Sequence, residues 1–466
     1  MSLLFYNTLT RNLEEFVPIE KGKVKLYTCG PTVWNYPHIG NYRTFIFEDL
    51  LRRYLKYKGF EVLQVMNLTD IDDKIIASVN KQKVSLDDFT AQYKKIFFED
   101  LDTLNIQRAE VYPEATKHID EMVKLIQQLL EKGHAYKSDG AIYFKISSFP
   151  DYGKLAKMNL AELKTGARVA SDEYEKEEVS DFALWKGWDE KDGDVFWETE
   201  LGKGRPGWHI ECSAMSMKYL GPHFDIHTGG VDNIFPHHEN EIAQSQGGTG
   251  EKFVNYWLHA AHLLVENKKM SKSLGNFYTL RDLLQKNWDQ KAIRYLLLGT
   301  HYRQQLNFTF DGLEASKNAL QRLYDFMDGL KDVKTVSGKN PEVEQIVKNT
   351  RQKFEEALDN DLNISAGLAA IFDMVRDINK LLRDNLLSND DAMTVLELTC
   401  KLDSVLGVLK RPAISIDQTA EELIQKREKA RQDKNWKMAD QIRDQLAERG
   451  IVLEDTSGGT KWKKKV

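Results

Sequence analysis

The sequence has few cysteines and no long apolar run, and each shortage excludes a class of protein. Only Cys29, Cys212 and Cys400 occur among 466 residues. This odd, sparse set argues against a disulfide framework and leaves metal binding or catalysis open. No segment approaches the roughly 20 consecutive apolar residues that span a membrane, and the N-terminus lacks a basic stretch followed by an apolar run. We therefore expect a cytoplasmic protein with no membrane partner.

The composition is otherwise that of an ordinary globular protein. Hydrophobic residues make up 41% and charged residues 29% of the chain, so apolar residues are not scarce as they are in disordered proteins. The net charge of -6 does not indicate a nucleic-acid-binding protein, but residues 421–466 carry 12 Lys and Arg against 9 Asp and Glu. A chain of this length exceeds one ordinary core, and we expect about two to four folding units.

Hydrophobic periodicity predicts a βαβ unit near the N-terminus. Residues 24–28 and 62–66 have the pattern of short strands, and residues 41–59 have the pattern of a helix. Such a unit indicates a parallel α/β domain, in which ligands bind beyond the carboxyl ends of the strands. The candidate binding segments are therefore residues 29–41 and 67–74.

Later segments predict that this α/β domain is split. Residues 87–132 have a helical pattern, a hairpin follows at 135–144, and a charged, loop-rich stretch runs to residue 206. A strand at 224–228 and a helix at 236–246 then resume the α/β pattern, and most of the chain after residue 276 is helical, including residues 283–299. We divide the chain into the α/β first half (1–110), an insertion (111–207), the α/β second half (208–280), a helical bundle (281–410) and a small basic module (411–466), in which residues 419–450 are helical.

Histidine is concentrated in one interval of the sequence. Seven of the eleven histidines fall within residues 209–262, which also contain Cys212. His237 and Glu241 are four residues apart on a predicted helix, so their side chains share one face. Cys29 ends the first strand, where the sheet presents its ligands. Two thiolates, an imidazole and a carboxylate suit zinc better than magnesium or calcium.

Two alternatives to this metal site remain open on spacing alone. The cysteines are also explained as small buried hydrophobes, and the histidines as groups that satisfy core or surface hydrogen bonds. The chain has no C-x-x-C pair to favour a metal. In addition, His238 and Glu241 are three residues apart and also share a helix face. Spacing therefore leaves open whether His237 or His238 is paired with Glu241.

Two short segments suit a nucleotide phosphate. Residues 37–41, Pro-His-Ile-Gly-Asn, lie between the first strand and its helix, where free backbone N–H groups and the helix dipole favour phosphate. Residues 269–273, Lys-Met-Ser-Lys-Ser, follow a predicted strand at 263–265 and offer two ammonium groups and two hydroxyls on a Gly-flanked loop. The alternatives are a turn capped by a histidine and a solvated basic turn. The two segments together are a more specific indication of a nucleotide site than either segment alone.

With these two segments, the sequence resembles class I aminoacyl-tRNA synthetases. Further segments are similar to the cysteinyl-tRNA synthetase family, and they are YTCGPTVW at 27–34, NLTDIDDK at 67–74, GRPGWHIECS at 204–213, FPHHENE at 235–241, ADQIRD at 439–444 and GIVLEDT at 450–456. The resemblance runs to the end of the chain. It implies an α/β fold with a Rossmann-type parallel-sheet catalytic domain split by an insertion, followed by a helical bundle and a small C-terminal anticodon-binding module.

The resemblance also implies the activity. L-Cysteine is expected to react with ATP, accompanied by Mg²⁺, to give cysteinyl-adenylate and pyrophosphate, and cysteine is then transferred to tRNA(Cys). One zinc ion is expected to select the thiol. It is implied to bind Cys29, Cys212, His237 and Glu241, which selects His237 over His238. We also expect a monomer.

The remaining site residues follow from the same resemblance. The expected catalytic residues are His38 and Lys272. The expected ATP contacts are His38, Gly40, Asn41, Asp232, Lys269 and Lys272. The expected substrate pocket contains Cys29, Thr69, Trp208 and His227, and the expected tRNA contacts are Arg427, Trp436 and Asp455.

Several of these assignments have competing explanations. The class I signature ends in a second histidine where this chain has Asn41, which donates a hydrogen bond but cannot carry charge, so we assign His38 the larger share of triphosphate contact. Trp208 is also explained by core packing, and Asp232 by a helix N-cap. The basic residues around Trp436 are also explained as a solvated helix face.

Two other functions remain to be weighed against this one. A ligase that activates cysteine and passes it to a small amine would use the same chemistry, but it would have no need of the helical region and basic tail. A non-catalytic zinc- and RNA-binding relative of a synthetase is disfavoured by the intact loop at 269–273 and by the presence of all four metal-ligand candidates.

Overall fold

A computed structural model describes residues 2–158, 181–334, 338–410, 418–449, 451–456 and 459–464. Within those residues the helices are α1 Ile39–Tyr57, α2 Asp73–Gln82, α3 Leu86–Thr103, α4 Ile119–Glu131, α5 Trp208–Leu220, α6 Glu239–Thr249, α7 Leu280–Gln285, α8 Gln290–Leu298, α9 Phe310–Lys331, α10 Pro341–Asp359, α11 Ile364–Arg383, α12 Asn389–Leu406, α13 Gln418–Gln432 and α14 Trp436–Glu448. The strands are β1 Leu4–Asn7, β2 Asn12–Glu15, β3 Lys23–Thr28, β4 Glu61–Met66, β5 Ala135–Ser138, β6 Ala141–Phe144, β7 Phe182–Gly187, β8 Trp197–Thr199, β9 Gly202–Pro206, β10 Phe224–Gly230, β11 Val254–Ala260, β12 Leu263–Val265, β13 Lys268–Lys269, β14 Leu306–Phe308, β15 Ile451–Thr456 and β16 Gly459–Lys464.

A four-stranded parallel sheet in the order β11-β10-β3-β4 positions the candidate site. The strands predicted at 24–28, 62–66 and 224–228 all belong to it. Helix α1 crosses from β3 to β4 and is buried along most of its length, with Phe45, Ile46 and Leu51 in the core. Because the strands are parallel, the segments after β3, β4 and β10 meet at one edge. The predicted α/β fold is confirmed.

The insertion is more regular than the sequence indicates. Its described part forms a five-stranded antiparallel sheet in the order β5-β6-β7-β9-β8, whereas the sequence pattern predicts mostly loops after the first hairpin. Glycines at the pairing positions explain the difference: a Cβ on Gly204 would lie 2.2 Å from Lys186 O, and one on Gly187 would lie 2.7 Å from Gly140 O. Glycine permits this close approach of strands, but in the sequence it is also typical of a loop. The rest of the predicted loop, residues 159–180, lies outside the described residues.

Two helices predicted as continuous are each divided into two. The helix predicted at 283–299 ends with α7 and resumes as α8, because Asn287 adopts a left-handed φ of 62° and Asp289 caps the new helix by accepting hydrogen bonds from Lys291 N and Ala292 N. The helical module at 419–450 divides into α13 and α14 at Lys434, whose φ is 56°. None of the helices in the described part of the chain is long and apolar enough to cross a membrane.

A buried ion-pair network joins the parallel-sheet domain to the helical bundle. Arg294 Nη2 on α8 lies 2.5 Å from Asp49 Oδ2 on α1, and both side chains are fully buried. Asp49 also accepts from Arg53 Nε at 2.7 Å, and Arg294 Nε donates to Leu406 O at the end of α12. Since α1 begins at the candidate phosphate turn, this network ties the geometry of that turn to the bundle.

Candidate metal and nucleotide site

Four predicted metal ligands meet at the carboxyl edge of the parallel sheet. Cys29 directly follows β3, Cys212 lies on α5, and His237 and Glu241 lie on the turn before α6 and in its first turn. Their ligand atoms all lie within 4.8 Å of one another. Cys212, His237 and Glu241 are buried, whereas Cys29 is partly exposed.

A second, overlapping donor set is present. Cys29, His227, His238 and Glu241 also have ligand atoms within 4.8 Å of one another. His238 Nε2 lies 3.2 Å from Cys29 Sγ, and His227 Nε2 lies 3.0 Å from Glu241 Oε2. The two sets share Cys29 and Glu241, so the hydrogen bonds around them must decide which set fits an ion.

The surrounding hydrogen bonds favour the first set. His209 Nδ1 lies 2.9 Å from His237 Nδ1, so the other ring nitrogen of His237 faces Glu241 Oε1 at 3.1 Å. His227 holds Glu241 Oε2, whereas Oε1 is buried and accepts no hydrogen bond from the described residues. A buried oxygen without a donor is costly, and a cation satisfies it. In metal sites, a ligating side chain is typically oriented by a hydrogen bond from one of its atoms to a neighbouring residue, while another of its atoms points at the ion.

Burial controls the charge of this cluster. It raises the pKa of Glu241 and lowers the pKa of His237 well below its usual value. The hydrogen bond with Cys212, together with burial, raises the pKa of the Cys29 thiol well above its usual value. The largest single effect on the pKa of Cys212 is its hydrogen bond with Cys29, which lowers it, but burial and the nearby carboxylates of Glu241 and Glu211 together make the net direction upward. A divalent cation would reverse this tendency at the thiols by stabilising thiolate.

The expected pocket residues surround the cluster in different ways. Trp208 begins α5, is partly exposed, and stacks on His237 with ring centroids 4.2 Å apart. This position fits a pocket wall better than core packing. Thr69 Oγ1 accepts from Asn67 Nδ2 at 3.1 Å, and Thr69 pairs with Thr32 in the segment after β3. His227 is fully buried, so it acts on the cluster through Glu241.

A glycine makes room at this edge of the sheet. Gly30 N donates to Asn67 Oδ1 at 2.9 Å, and a Cβ on Gly30 would lie 1.7 Å from Asn67 O. The backbone segments after β3 and β4 therefore approach more closely than any side chain allows. This contact joins the two segments that carry Cys29 and Thr69.

The first phosphate segment forms a capped helix start. His38 is the N-cap of α1, and its Nδ1 accepts a hydrogen bond from Asn41 N at 3.1 Å. Asn41 Oδ1 accepts from His38 N at 3.0 Å, which completes a reciprocal capping box. The histidine-capped turn proposed as an alternative is therefore present, and it lies at a helix N-terminus suited to phosphate.

The second phosphate segment is a compact loop held by one asparagine. Lys269 ends β13, Ser271 caps the short turn Lys272–Leu274, and Gly275 follows with φ of 67°. Asn276 Oδ1 accepts from Ser271 N at 2.8 Å, and its Nδ2 donates to Lys269 O at 3.0 Å. The loop conformation is thus fixed on both sides of Met270.

The fold brings the two phosphate segments together. The ring of Phe277 meets the ring of His38 edge-on at 5.3 Å, and Ile39 N donates to Tyr278 O at 3.0 Å. The ammonium group of Lys272 lies 5.2 Å from the ring centroid of Phe277 and 5.6 Å from that of Trp34. Lys272 and His38 therefore contact the same aromatic side chain.

Asp232 occupies an exposed turn after β10. The N-cap of α6 is His238, so the helix N-cap explanation for Asp232 is wrong. Asp232 lies beside Gly230, where a Cβ would come within 2.2 Å of its Oδ1. The Asp232 carboxylate is exposed at this edge of the sheet. It is therefore accessible to a ligand that binds there.

The expected tRNA contacts are spread over the C-terminal module. Trp436 is the first residue of α14 and is 57% exposed, and Asp455 lies in β15 opposite Thr460. Arg427 lies on α13, and its side chain is buried. This burial favours a packing role for Arg427 and makes Trp436 the better candidate for contact with a base.

Sequence reasoning missed several residues that organise the site. His259 Nε2 bonds to His238 Nδ1 at 2.8 Å, and Thr8 Oγ1 bonds to His259 Nδ1 at 2.8 Å. His259 belongs to the histidine-rich interval, which was a usable signal. Asn276 lies three residues after the Lys-Met-Ser-Lys-Ser segment. Thr8 is remote in sequence and carried no signal.

Sequence models of three families match the chain. The family described as "tRNA synthetases class I (C) catalytic domain" matches residues 15–318, and that described as "Cysteinyl-tRNA ligase anticodon binding domain" matches residues 415–462. A "DALR domain" matches residues 353–410. These matches cover the parallel-sheet domain, part of the bundle and the C-terminal module.

Similar proteins agree with these matches. A cysteine–tRNA ligase of Protochlamydia amoebophila is 54% identical over 470 residues, covering 99% of this chain and 98% of its own. One of Brachyspira hyodysenteriae is 50% identical over 474 residues, covering 99% of each chain. The solved structure of Mycobacterium tuberculosis methionyl-tRNA synthetase with methionyl-adenylate shares the fold, with a TM-score of 0.61 and 15% identity, covering 83% of this chain and 90% of that chain.

The split parallel sheet and the paired phosphate segments define a class I aminoacyl-tRNA synthetase. Within that class, the full-length relatives and the C-terminal module are more specific. The chain belongs to the cysteine–tRNA ligase family and is an enzyme.

Proposed function

We propose that the protein activates L-cysteine with ATP, giving cysteinyl-adenylate and pyrophosphate, and then transfers cysteine to tRNA(Cys). The observation that carries this proposal is the donor cluster at the sheet edge, where two thiols meet the buried Oε1 of Glu241. Membership in the cysteine–tRNA ligase family supports the same substrates. A single chain supplies every residue of the proposed site, so we expect a monomer to be active.

We propose that the cluster binds one zinc ion through Cys29, Cys212, His237 and Glu241. Sulfur, nitrogen and oxygen donors together suit zinc better than magnesium or calcium. When bound, zinc would lower the pKa of the substrate thiol and bind its sulfur, which a serine hydroxyl matches poorly. An apolar pocket alone separates such similar substrates only about 100-fold. No editing domain is then required.

The chain's own residues orient cysteine at that position. Trp208, stacked on His237, is proposed to form one wall of the pocket, and Thr69 to face the substrate from the segment after β4. His227 fixes the orientation of Glu241 from beneath.

Adenylate formation needs positioning and charge stabilisation more than a protein nucleophile. The carboxylate oxygen of cysteine forms a bond to the α-phosphorus of ATP, and the bond to pyrophosphate breaks. His38 and Lys272, which share contact with Phe277, are proposed to stabilise the charge that moves onto the leaving pyrophosphate, with Mg²⁺ on the triphosphate. The remaining ATP contacts are proposed to come from Gly40, Asp232 and Lys269.

Transfer to tRNA completes the proposed reaction. The 2'-hydroxyl of the terminal adenosine attacks the cysteinyl carbonyl, and AMP leaves. In the C-terminal module, exposed Trp436 is proposed to stack on an unpaired anticodon base, with Asp455 nearby on β15. Arg427 is proposed to support the helix pair from inside.

Cysteine-dependent ATP–pyrophosphate exchange tests the first half of this proposal. The wild-type chain is expected to exchange with cysteine, to reject serine, and to lose cysteine exchange after a chelator removes the metal. Exchange that survives metal removal with serine still rejected would contradict the role of zinc. Absence of exchange would favour the non-catalytic alternative.

Charging of total tRNA tests the second half. The wild-type chain is expected to charge tRNA with cysteine, and Trp436→Ala is expected to lower charging while leaving exchange unchanged. Tyr136→Ala removes an exposed aromatic residue from the insertion and serves as the matched control. Exchange without charging would favour the alternative ligase that uses a small amine.

A further inference from the structure

The capping box at the start of α1 determines which ring nitrogen of His38 carries the proton. Asn41 N lies 3.1 Å from His38 Nδ1 and also 2.9 Å from His38 O, so it is shared between two acceptors. Because a backbone N–H only donates, Nδ1 accepts and carries no proton. The neutral imidazole therefore carries its proton on Nε2, which makes that nitrogen a hydrogen-bond donor.

The side chain of Asn41 holds the backbone that makes this contact possible. Its Oδ1 accepts from His38 N at 3.0 Å, and the donor identifies this atom as the amide oxygen. One further contact restricts the ring, because Phe277 meets it edge-on at 5.3 Å. Gly40 leaves room for the ring, since a Cβ there would lie 3.0 Å from Nδ1. The imidazole is thus fixed in position as well as in tautomer.

We propose that Asn41 is a positioning residue that acts through His38 and not by contact with ATP. Its amide oxygen is turned inward to the backbone of His38. Asn41 keeps His38 in the N-cap conformation and so presents Nε2–H to the triphosphate. The inference rests on the proposed function, in which His38 contacts that triphosphate.

A double-mutant cycle on cysteine-dependent pyrophosphate exchange tests this inference. Asn41→Ala is expected to lower kcat about 10- to 100-fold with little change in the KM for ATP, because a misplaced group loses transition-state contact. In a His38→Ala background the same change is expected to cost less than about twofold. Asn41→Gln supplies an acceptor oxygen at the same helix position and is expected to restore most of the activity. If Asn41→Ala lowered kcat by the same factor in the wild-type and His38→Ala backgrounds and raised the KM for ATP, the inference would be overturned.

Histidine ¹⁵N NMR of the full-length, deuterated chain gives a readout that does not depend on activity. The His38 signals, identified by their absence in His38→Ala, are expected to show protonated Nε2 and unprotonated Nδ1, with a smaller fraction of this tautomer in Asn41→Ala. Protonated Nδ1 in the wild-type chain would overturn the inference. Asn340→Ala removes an N-cap from α10, where Asn340 accepts from Glu342 N, and is expected to change neither signal nor rate. An inactive wild-type chain with the expected tautomer would contradict the proposed function alone.

Discussion

At the residue scale, the structure explains why spacing could not choose the metal ligands. His237 Nε2 and His238 Nε2 lie 3.1 and 3.9 Å from the same oxygen of Glu241, so helix periodicity fits both. The choice depends on His209 and on His227, which hold the outer atoms of His237 and Glu241. These contacts form only when α5, β10 and α6 meet. A resemblance could therefore select His237, whereas helical spacing alone could not.

The buried thiol on α5 provides the first prediction. Cys212 belongs to only one of the two overlapping donor sets, and Cys212→Ser replaces its sulfur by a poorer zinc ligand. We expect zinc content, measured by elemental analysis, to fall from about one to well below one ion per chain, and cysteine-dependent exchange to fall at least about 100-fold. Cys400→Ser makes the same change at an exposed position on α12 and is expected to alter neither value. Full zinc content in Cys212→Ser would contradict the assignment.

A buried carboxyl beside β10 provides a pH-dependent prediction. Glu48 Oε1 accepts from Thr228 Oγ1 at 2.8 Å, its other oxygen is buried without a donor among the described residues, and burial raises its pKa from 4.5 to about 8. Since the folded state holds this proton more tightly than the unfolded chain, Glu48 destabilises the folded state progressively as the pH rises from about 4.5 to 8. Above that window the penalty is constant, at roughly 5 kcal/mol at most.

Thermal unfolding at two pH values tests this account of Glu48. Glu48→Gln resembles the protonated carboxyl, so we expect its melting temperature to match that of the wild type near pH 5 and to exceed it near pH 8.5. Glu251→Gln, at an exposed position, serves as the control and is expected to show no such difference. The same melting difference for Glu48→Gln at both pH values would show that Glu48 titrates normally.

At the scale of elements, the strands of the parallel sheet were predictable and the insertion sheet was not. Strands β3, β4 and β10 are short, largely apolar runs that alternate with a helix, which is a local pattern. Strand β9 contains two glycines and two charged residues, and it pairs with β7 and β8 only because glycine allows the backbones to approach. Its pairing is therefore a tertiary property. The break between α7 and α8 depended on the left-handed Asn287, which local periodicity did not reveal.

The loop at residues 269–276 provides a prediction about an element. Asn276 bonds to the backbone on both sides of Met270, so Asn276→Ala frees the loop that carries Lys272. We expect kcat for pyrophosphate exchange to fall about tenfold, because Lys272 is then less often in place for the transition state. Asn363→Ala removes a comparable backbone contact, the cap of α11, and is expected to leave exchange unchanged. An unchanged kcat in Asn276→Ala would show that other contacts hold the loop.

At the scale of the whole molecule, the buried network of Asp49 and Arg294 joins the catalytic half to the bundle. Asp49→Ala leaves the guanidinium of Arg294 buried without its carboxylate partner, so we expect a loss of about 3–5 kcal/mol in the free energy of unfolding. Denaturant unfolding measures this loss. Asp328→Ala breaks an exposed pair with Lys331 and is expected to change stability little. Equal effects of the two variants would mean that the buried pair does not hold the domains together.

The central claim concerns the whole enzyme with its substrate: a metal held by two cysteine thiolates binds a third, that of cysteine. Zinc X-ray absorption of the full-length chain tests it directly. Without substrate we predict two sulfur neighbours at about 2.3 Å, from Cys29 and Cys212, and three after cysteine is added, with no such change after serine. A sulfur count that stays at two when cysteine is bound would contradict the account.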